Sequence, residues 1–177
     1  MKFNLTIIVV VFTLLIGCKN ETNQSTDSSK SVESVSIKDP KIITAFEELD
    51  EQYFHSNDTL LVINFWATWC KPCVQELPYF NSVADQFKGQ KVKFVFVSLD
   101  FMNTIEKSVK PFLRKNTFKG EVVILADQDV NNWAINIDKN WDGAIPVTLL
   151  INQDKKTTRL GSFKDAEDLK TFIQSNL

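Results

Sequence analysis

Two cysteines, Cys70 and Cys73, stand with two residues between them in a 177-residue sequence that holds three cysteines and one histidine. That spacing suits a small disulfide ring, and a bare pair could equally be half of a zinc site. The neighbouring elements narrow the choice. Residues 60–66 form an apolar run rich in β-branched and aromatic side chains, which predicts a buried strand. Beyond the pair, Val74, Leu77, Phe80, Val83, Ala84 and Phe87 recur three or four apart, which predicts a helix. The cysteines therefore fall where a strand hands over to the first turn of a helix. Unpaired N–H groups and the positive end of the helix dipole favour a thiolate there. The thiolate is the attacking species in disulfide exchange, so Cys70 is the expected nucleophile and Cys73 the resolving thiol. Pro72 fits the first helical turn, where its missing N–H costs nothing.

Trp69-Cys70-Lys71-Pro72-Cys73 after an apolar strand resembles the active site of the thioredoxin superfamily. The longer string from Asn64 through Phe65, Trp66, Ala67, Thr68 and Trp69 to Cys70 resembles the TlpA-like or ResA-like thiol–disulfide oxidoreductases, in their lipoprotein form. Asn64 stands where cytoplasmic thioredoxins carry a buried Asp. The resemblance covers residues 39–177 and implies an α/β, thioredoxin-like fold with a central mixed sheet and helices on both faces. It implies catalytic roles for Cys70, Cys73 and Glu76, the glutamate exchanging a proton with the buried thiol. It places substrate binding at Trp69, Lys71, Pro72, Ile145 and Pro146, with a cis bond between the last two. Trp66 is expected in the core, and Trp141 is balanced between facing substrate and packing. No cofactor and no metal are expected.

The chain start points outside the cytoplasm. Lys2 followed by an apolar stretch to Gly17 reads as a signal peptide over residues 1–17, too short to span a membrane. Leu15-Ile16-Gly17-Cys18 resembles the lipobox of bacterial lipoproteins, so Cys18 is the expected lipid attachment site. Residues 18–38 then form the lipidated cysteine and a polar tether, reaching about 25 Å as a flexible chain. With Cys18 consumed, the remaining pair is self-contained. The formal charge of −2 gives no electrostatic case for nucleic acid. Fourteen phenylalanines against five glycines suggest a well-filled core with few special turns.

The remaining elements read in order. Residues 41–54 predict an amphipathic helix, with Asp39 as N-cap and Pro40 at its first position. Pro78 should kink the helix of residues 72–88, which Gly89 ends. Residues 91–99 and 121–126 predict strands, with a helix over 104–116 broken or bent by Pro111 between them. Residues 129–137 are weakly helical. Residues 147–151 and 157–163 predict a hairpin, and Asp165 caps a last helix facing the core with Leu169, Phe172 and Ile173.

The expected function is a thiol–disulfide oxidoreductase on the periplasmic side of a bacterial membrane, lipid-anchored and monomeric. It would reduce disulfide-containing protein substrates with electrons from a membrane thiol donor. The alternative is a copper-binding or metal-delivery protein on the same fold, which needs ligands beyond the pair; the sole histidine, His55, lies upstream of the central strand. Thioredoxin-fold peroxidases use a Thr-x-x-Cys loop with an arginine partner, unlike the Cys-x-x-Cys pair here.

Overall fold

The computed structural model describes residues 39–55 and 58–177. The expected signal peptide, Cys18 and tether lie outside them. In chain order the elements are β1 (Lys41–Ile43), α1 (Phe46–Tyr53), β2 (Leu60–Trp66), α2 (Lys71–Gln86), β3 (Val92–Ser98), α3 (Lys110–Lys115), β4 (Glu121–Leu125), α4 (Val130–Trp133), β5 (Val147–Asn152), β6 (Lys155–Leu160) and α5 (Ala166–Gln174). They build one six-stranded sheet in the order β1-β4-β3-β2-β5-β6. The strands from β1 to β2 run parallel, and β5 and β6 join antiparallel.

β2 is buried along its whole length and has a neighbour on each side, which explains its unbroken apolar sequence. Side chains alternate across a strand. Leu61, Ile63 and Phe65 therefore enter one core with Phe46 and Leu49 of α1 and Trp133 of α4. Leu60, Val62 and Trp66 enter a second core with α2, α3 and α5 on the opposite face. The sheet is mixed and covered on both faces, as expected.

Three local expectations are corrected. Residues 41–54 are not one helix. Asp39 and Pro40 precede a short strand, and α1 starts only after Ala45, whose backbone is extended. Ile43 pairs with β4, its carbonyl accepting from Ala126 N at 2.7 Å, while Asp127 Oδ2 accepts from Phe46 N at 3.1 Å and caps α1. Both partners come from far along the chain, so local spacing could not reveal them. The helix expected over 104–116 is a 3₁₀ turn at Met102–Thr104, a π-helical turn at Ile105–Val109, and α3. Pro111 lacks an N–H and its ring crowds the preceding turn, consistent with the wider winding before it. The second hairpin strand starts at Lys155, directly after a tight turn in which Gln153 has φ 54°, and ends at Leu160. Phe163 has left the sheet and packs into the second core.

Candidate active site

The loop carrying the cysteines is fixed at both ends. Trp66, the last residue of β2, accepts a backbone hydrogen bond from Leu99 at 2.8 Å. Two residues on, Asp100 takes hold of Thr68: Oδ2 accepts from Thr68 N at 2.9 Å and Oδ1 from the Thr68 hydroxyl at 2.6 Å. Ser98 Oγ donates to Asp100 Oδ2 at 2.8 Å. Asp100 is completely buried, so its oxygens rely on these protein donors.

Cys70 is the N-cap of α2. Its Sγ lies 3.3 Å from Cys73 N, and its carbonyl accepts from Val74 N at 3.1 Å. This is where an unpaired helix N–H meets sulfur. The two cysteines are joined in a disulfide with Cα atoms 5.3 Å apart. Cys70 keeps 5% of its surface accessible and Cys73 none, so any approach from outside meets Cys70 first.

Ile145 and Pro146 are joined by a cis peptide bond, as expected. The Ile145 carbonyl oxygen lies 3.6 Å from Cys70 Sγ. Pro146 is buried and Ile145 half-buried, while Trp69, Lys71 and Pro72 are exposed. The fold thus gathers the cysteine pair, Trp69, Lys71, Pro72 and the Ile145–Pro146 turn at one end of the sheet. Trp141 is 6% exposed, packs against Phe65 and Trp133, and donates from Nε1 to Ala144 O at 2.7 Å. Packing, not display to a substrate, is its position.

Behind the disulfide, Glu76 is buried one helical turn after Cys73. Its Oε1 accepts from Asn64 Nδ2 at 3.2 Å and its Oε2 from Phe163 N at 3.1 Å. Burial raises its pKa from the ordinary 4.5 to about 7, opposed by those two hydrogen bonds and by the Arg159 charge. Asn64 also donates to Thr148 Oγ1 at 3.1 Å, and its own Oδ1 has no hydrogen-bond partner. Asn64 and Thr148 are directly opposed across the β2–β5 ladder.

Asp100, Thr148 and the Phe163 amide are parts of the site that sequence reading missed. Thr148 becomes visible only once β2 and β5 are put in register. Asp100 sits just past a strand end, where a polar residue is ordinarily read as solvated. Among the described residues, no three His, Cys, Asp or Glu side chains cluster as metal ligands, and no helix is long and apolar enough to cross a membrane.

A profile of the AhpC/TSA family matches residues 30–159. Thiol-disulfide oxidoreductase ResA of Bacillus cereus (strain ZK / E33L) is 28% identical over 114 residues, 63% of this chain and 60% of that protein. The chain spans about half to three-fifths of the curated relatives it matches first. Two solved structures share the fold. A thiol:disulfide interchange protein of the thioredoxin family from Chlorobium tepidum TLS has a TM-score of 0.54 at 20% identity, covering 66% of this chain and 79% of that one. A thioredoxin-related protein from Neisseria meningitidis serogroup B has a TM-score of 0.56 at 20% identity, covering 68% and 86%. With its matched stretch running through the strand, the cysteine pair and the first hairpin strand, the chain belongs to the AhpC/TSA family and has the thioredoxin-like fold.

Proposed function

We propose that this protein is a membrane-tethered, extracytoplasmic thiol–disulfide oxidoreductase that reduces protein disulfides. The observation that carries the reading is the Cys70–Cys73 disulfide at the start of α2, with Cys70 outermost beside the Ile145 carbonyl and Cys73 sealed behind it. The name of the Bacillus cereus relative agrees with this chemistry.

In the reduced protein, the Cys70 thiolate attacks one sulfur of a substrate disulfide. The substrate S–S bond breaks, a mixed disulfide forms, and the departing thiolate takes up a proton. Cys73 then loses its proton and attacks Cys70 Sγ, expelling the second substrate thiolate. Two electrons have passed from the Cys70/Cys73 pair to the substrate, and a membrane thiol donor restores them.

The buried Cys73 needs a nearby group to take its proton, and Glu76 suits that task because its pKa of about 7 lets it hold or release one near neutrality. Asn64 can serve both states of Glu76. As it stands, its amide donates to the carboxylate. Turned over, it puts its oxygen between Glu76 and Thr148, where it accepts from a protonated carboxyl and from the Thr148 hydroxyl. Trp69, Lys71 and Pro72 border the attacked sulfur, and the Ile145 backbone offers hydrogen bonds to an extended substrate. Lipid on Cys18 holds the domain at the membrane on the periplasmic side, supported by the Leu15-Ile16-Gly17-Cys18 pattern.

The deciding experiment is a trapping comparison in cells. Cys73→Ala should accumulate mixed disulfides through Cys70 on non-reducing gels, and Cys70→Ala should accumulate none. Equal trapping by both variants, or none by either, would refute the assigned roles.

A further inference from the structure

Three large apolar side chains stand exposed on two loops at one end of the sheet: Trp69 at 59%, on the loop from β2 to α2, and Phe101 at 51% and Met102 at 49%, directly after β3. A lone exposed hydrophobe is ordinary, whereas a group of them at a chemically active end of a molecule marks an interaction surface. The loops are also locked together. Leu99 N donates to Trp66 O at 2.8 Å, and both oxygens of Asp100 hold Thr68. Thr68 immediately precedes Trp69, and Asp100 immediately precedes Phe101. A fully buried carboxylate thus fixes the relative position of two apolar loop tips.

The chemistry of the site says what must cover them. A substrate that exchanges with Cys70 brings its own cysteine to a sulfur one residue from Trp69. A polypeptide advances about 3.3–3.6 Å per residue, so the two or three residues flanking that cysteine must pass over the neighbouring loops. Resting on the thiol-exchange reading above, we propose that Phe101 and Met102 are specificity residues. Clasped beside the Trp69 loop by Asp100 and Thr68, they bind apolar side chains flanking the substrate's cysteine. The occupant is an extended, disulfide-bearing polypeptide segment with aliphatic or aromatic neighbours, of the kind that a folded protein would bury. Trp69, Phe101 and Met102 carry no charge, so apolar burial and not charge pairing sets the preference at them.

The test uses two synthetic peptides identical except at the two positions on each side of a single cysteine, Leu in one and Ser in the other. Each cysteine is capped as a mixed disulfide with thionitrobenzoate, the better leaving group. Attack by reduced Cys70 on the peptide sulfur releases the coloured thiolate and leaves the peptide on Cys70. In single turnover, reduced wild type should release thionitrobenzoate from the Leu peptide about 10-fold faster in second-order rate constant, as expected for partial burial of apolar side chains. The double variant Phe101→Ser/Met102→Ser should bring that ratio to within about 2-fold of unity, through the peptide concentration giving half-maximal single-turnover rate more than through the maximal rate, and circular dichroism should show it folded. Equal rates of wild type with both peptides would overturn the specificity proposal while leaving thiol exchange standing. No release from either peptide would overturn both. If sedimentation shows wild type as a concentration-dependent dimer that the double variant abolishes, a second copy of this chain is the occupant and the proposal fails.

Discussion

The two faces of the sheet are built from the same strands but to different rules. On the face toward α1 and α4, the core is apolar and aromatic, with Phe46 stacked on Trp133 at 5.3 Å and Phe65 against Trp141 at 5.2 Å. On the face toward α2, α3 and α5, the apolar core also contains the cysteine pair, and beside it lie buried Asn64, Thr148 and Glu76. A buried polar group needs partners or it costs stability. The hydrogen-bonded group of Asn64, Thr148 and Glu76 lies on the face where the thiols sit, while on the other face Trp133 Nε1 is buried without a partner. The lesson is that the chemistry is located by where a strand departs from its apolar pattern, since Asn64 is the sole polar residue of β2.

The largest test of this contrast strikes the apolar face. Phe46→Ala removes a ring that is 3% exposed, and it should cost about 3–5 kcal/mol of stability in urea unfolding. The disulfide-exchange rate of the folded fraction should stay within about 2-fold of wild type. A large loss of exchange per folded molecule would mean that the faces are not separable.

The next test strikes the other face. Glu76 has a folded pKa of about 7 against an ordinary 4.5. The folded state therefore binds the proton more tightly than the unfolded state between those values, and stability falls as pH rises from about 4.5 to 7. The difference amounts to about 3 kcal/mol once both states are ionised. Glu76→Gln should flatten this part of the stability curve, leaving the variant relatively more stable above pH 7 than below pH 5. Its reduction of a model disulfide should slow by about 10–100-fold and lose one ionisation from the pH profile. Parallel stability curves and overlaying rate profiles would show Glu76 to be an inert helix residue.

How much of the molecule was legible in its sequence follows from the range of each signal. β2, α2 and the cysteine pair are contiguous, and their pattern switches from a run of apolar residues to helical spacing within a few positions, so they read correctly. Glu76 was visible as a residue one turn beyond Cys73, and Ile145–Pro146 through the resemblance alone. β1 was not visible, because three residues make a strand only when β4 lies alongside, and its isoleucines also fit helical spacing with Phe46 and Leu49. Two partners in the site were hidden for the same reason: Thr148 lies 84 residues beyond Asn64, and Phe163 lies 87 residues beyond Glu76. Gly120 is a further case, since a Cβ there would meet Phe94 O at 2.6 Å, a contact nothing local announces.

A smaller effect is expected at the clasp between the loops. Thr68→Val removes the 2.6 Å hydroxyl bond and leaves Asp100 Oδ1 without that donor in a buried place. The cost should be about 2 kcal/mol, read as a lower urea midpoint, and Thr68→Ser should restore most of it. If valine and serine behave alike, the hydroxyl contributes nothing and the loops are held by the backbone bond from Leu99 and the Thr68 amide on Asp100 Oδ2.

The smallest expected effect separates support from titration on the polar face. Thr148→Val keeps the shape of the side chain but removes an acceptor from Asn64 Nδ2. Asn64 itself stays buried, with Glu76 Oε1 as its remaining partner. Stability should fall by about 1 kcal/mol, the usual worth of one such hydrogen bond. The sign of the titration change follows from the same geometry. An amide donor released from Thr148 turns more fully to the Glu76 carboxylate and favours its charged form, so the pKa of Glu76 should move down. The oxygen end of a turned-over amide also loses the Thr148 hydroxyl as a donor, which weakens the arrangement that serves protonated Glu76. Both effects act in one direction. The midpoint of the Glu76 ionisation, followed by carboxyl NMR across pH in wild type and Thr148→Val, should therefore fall by less than about one pH unit. A rise would mean that the Thr148 hydroxyl assists the charged form of Glu76, and that Asn64 does not switch between donating to the carboxylate and accepting from the protonated carboxyl.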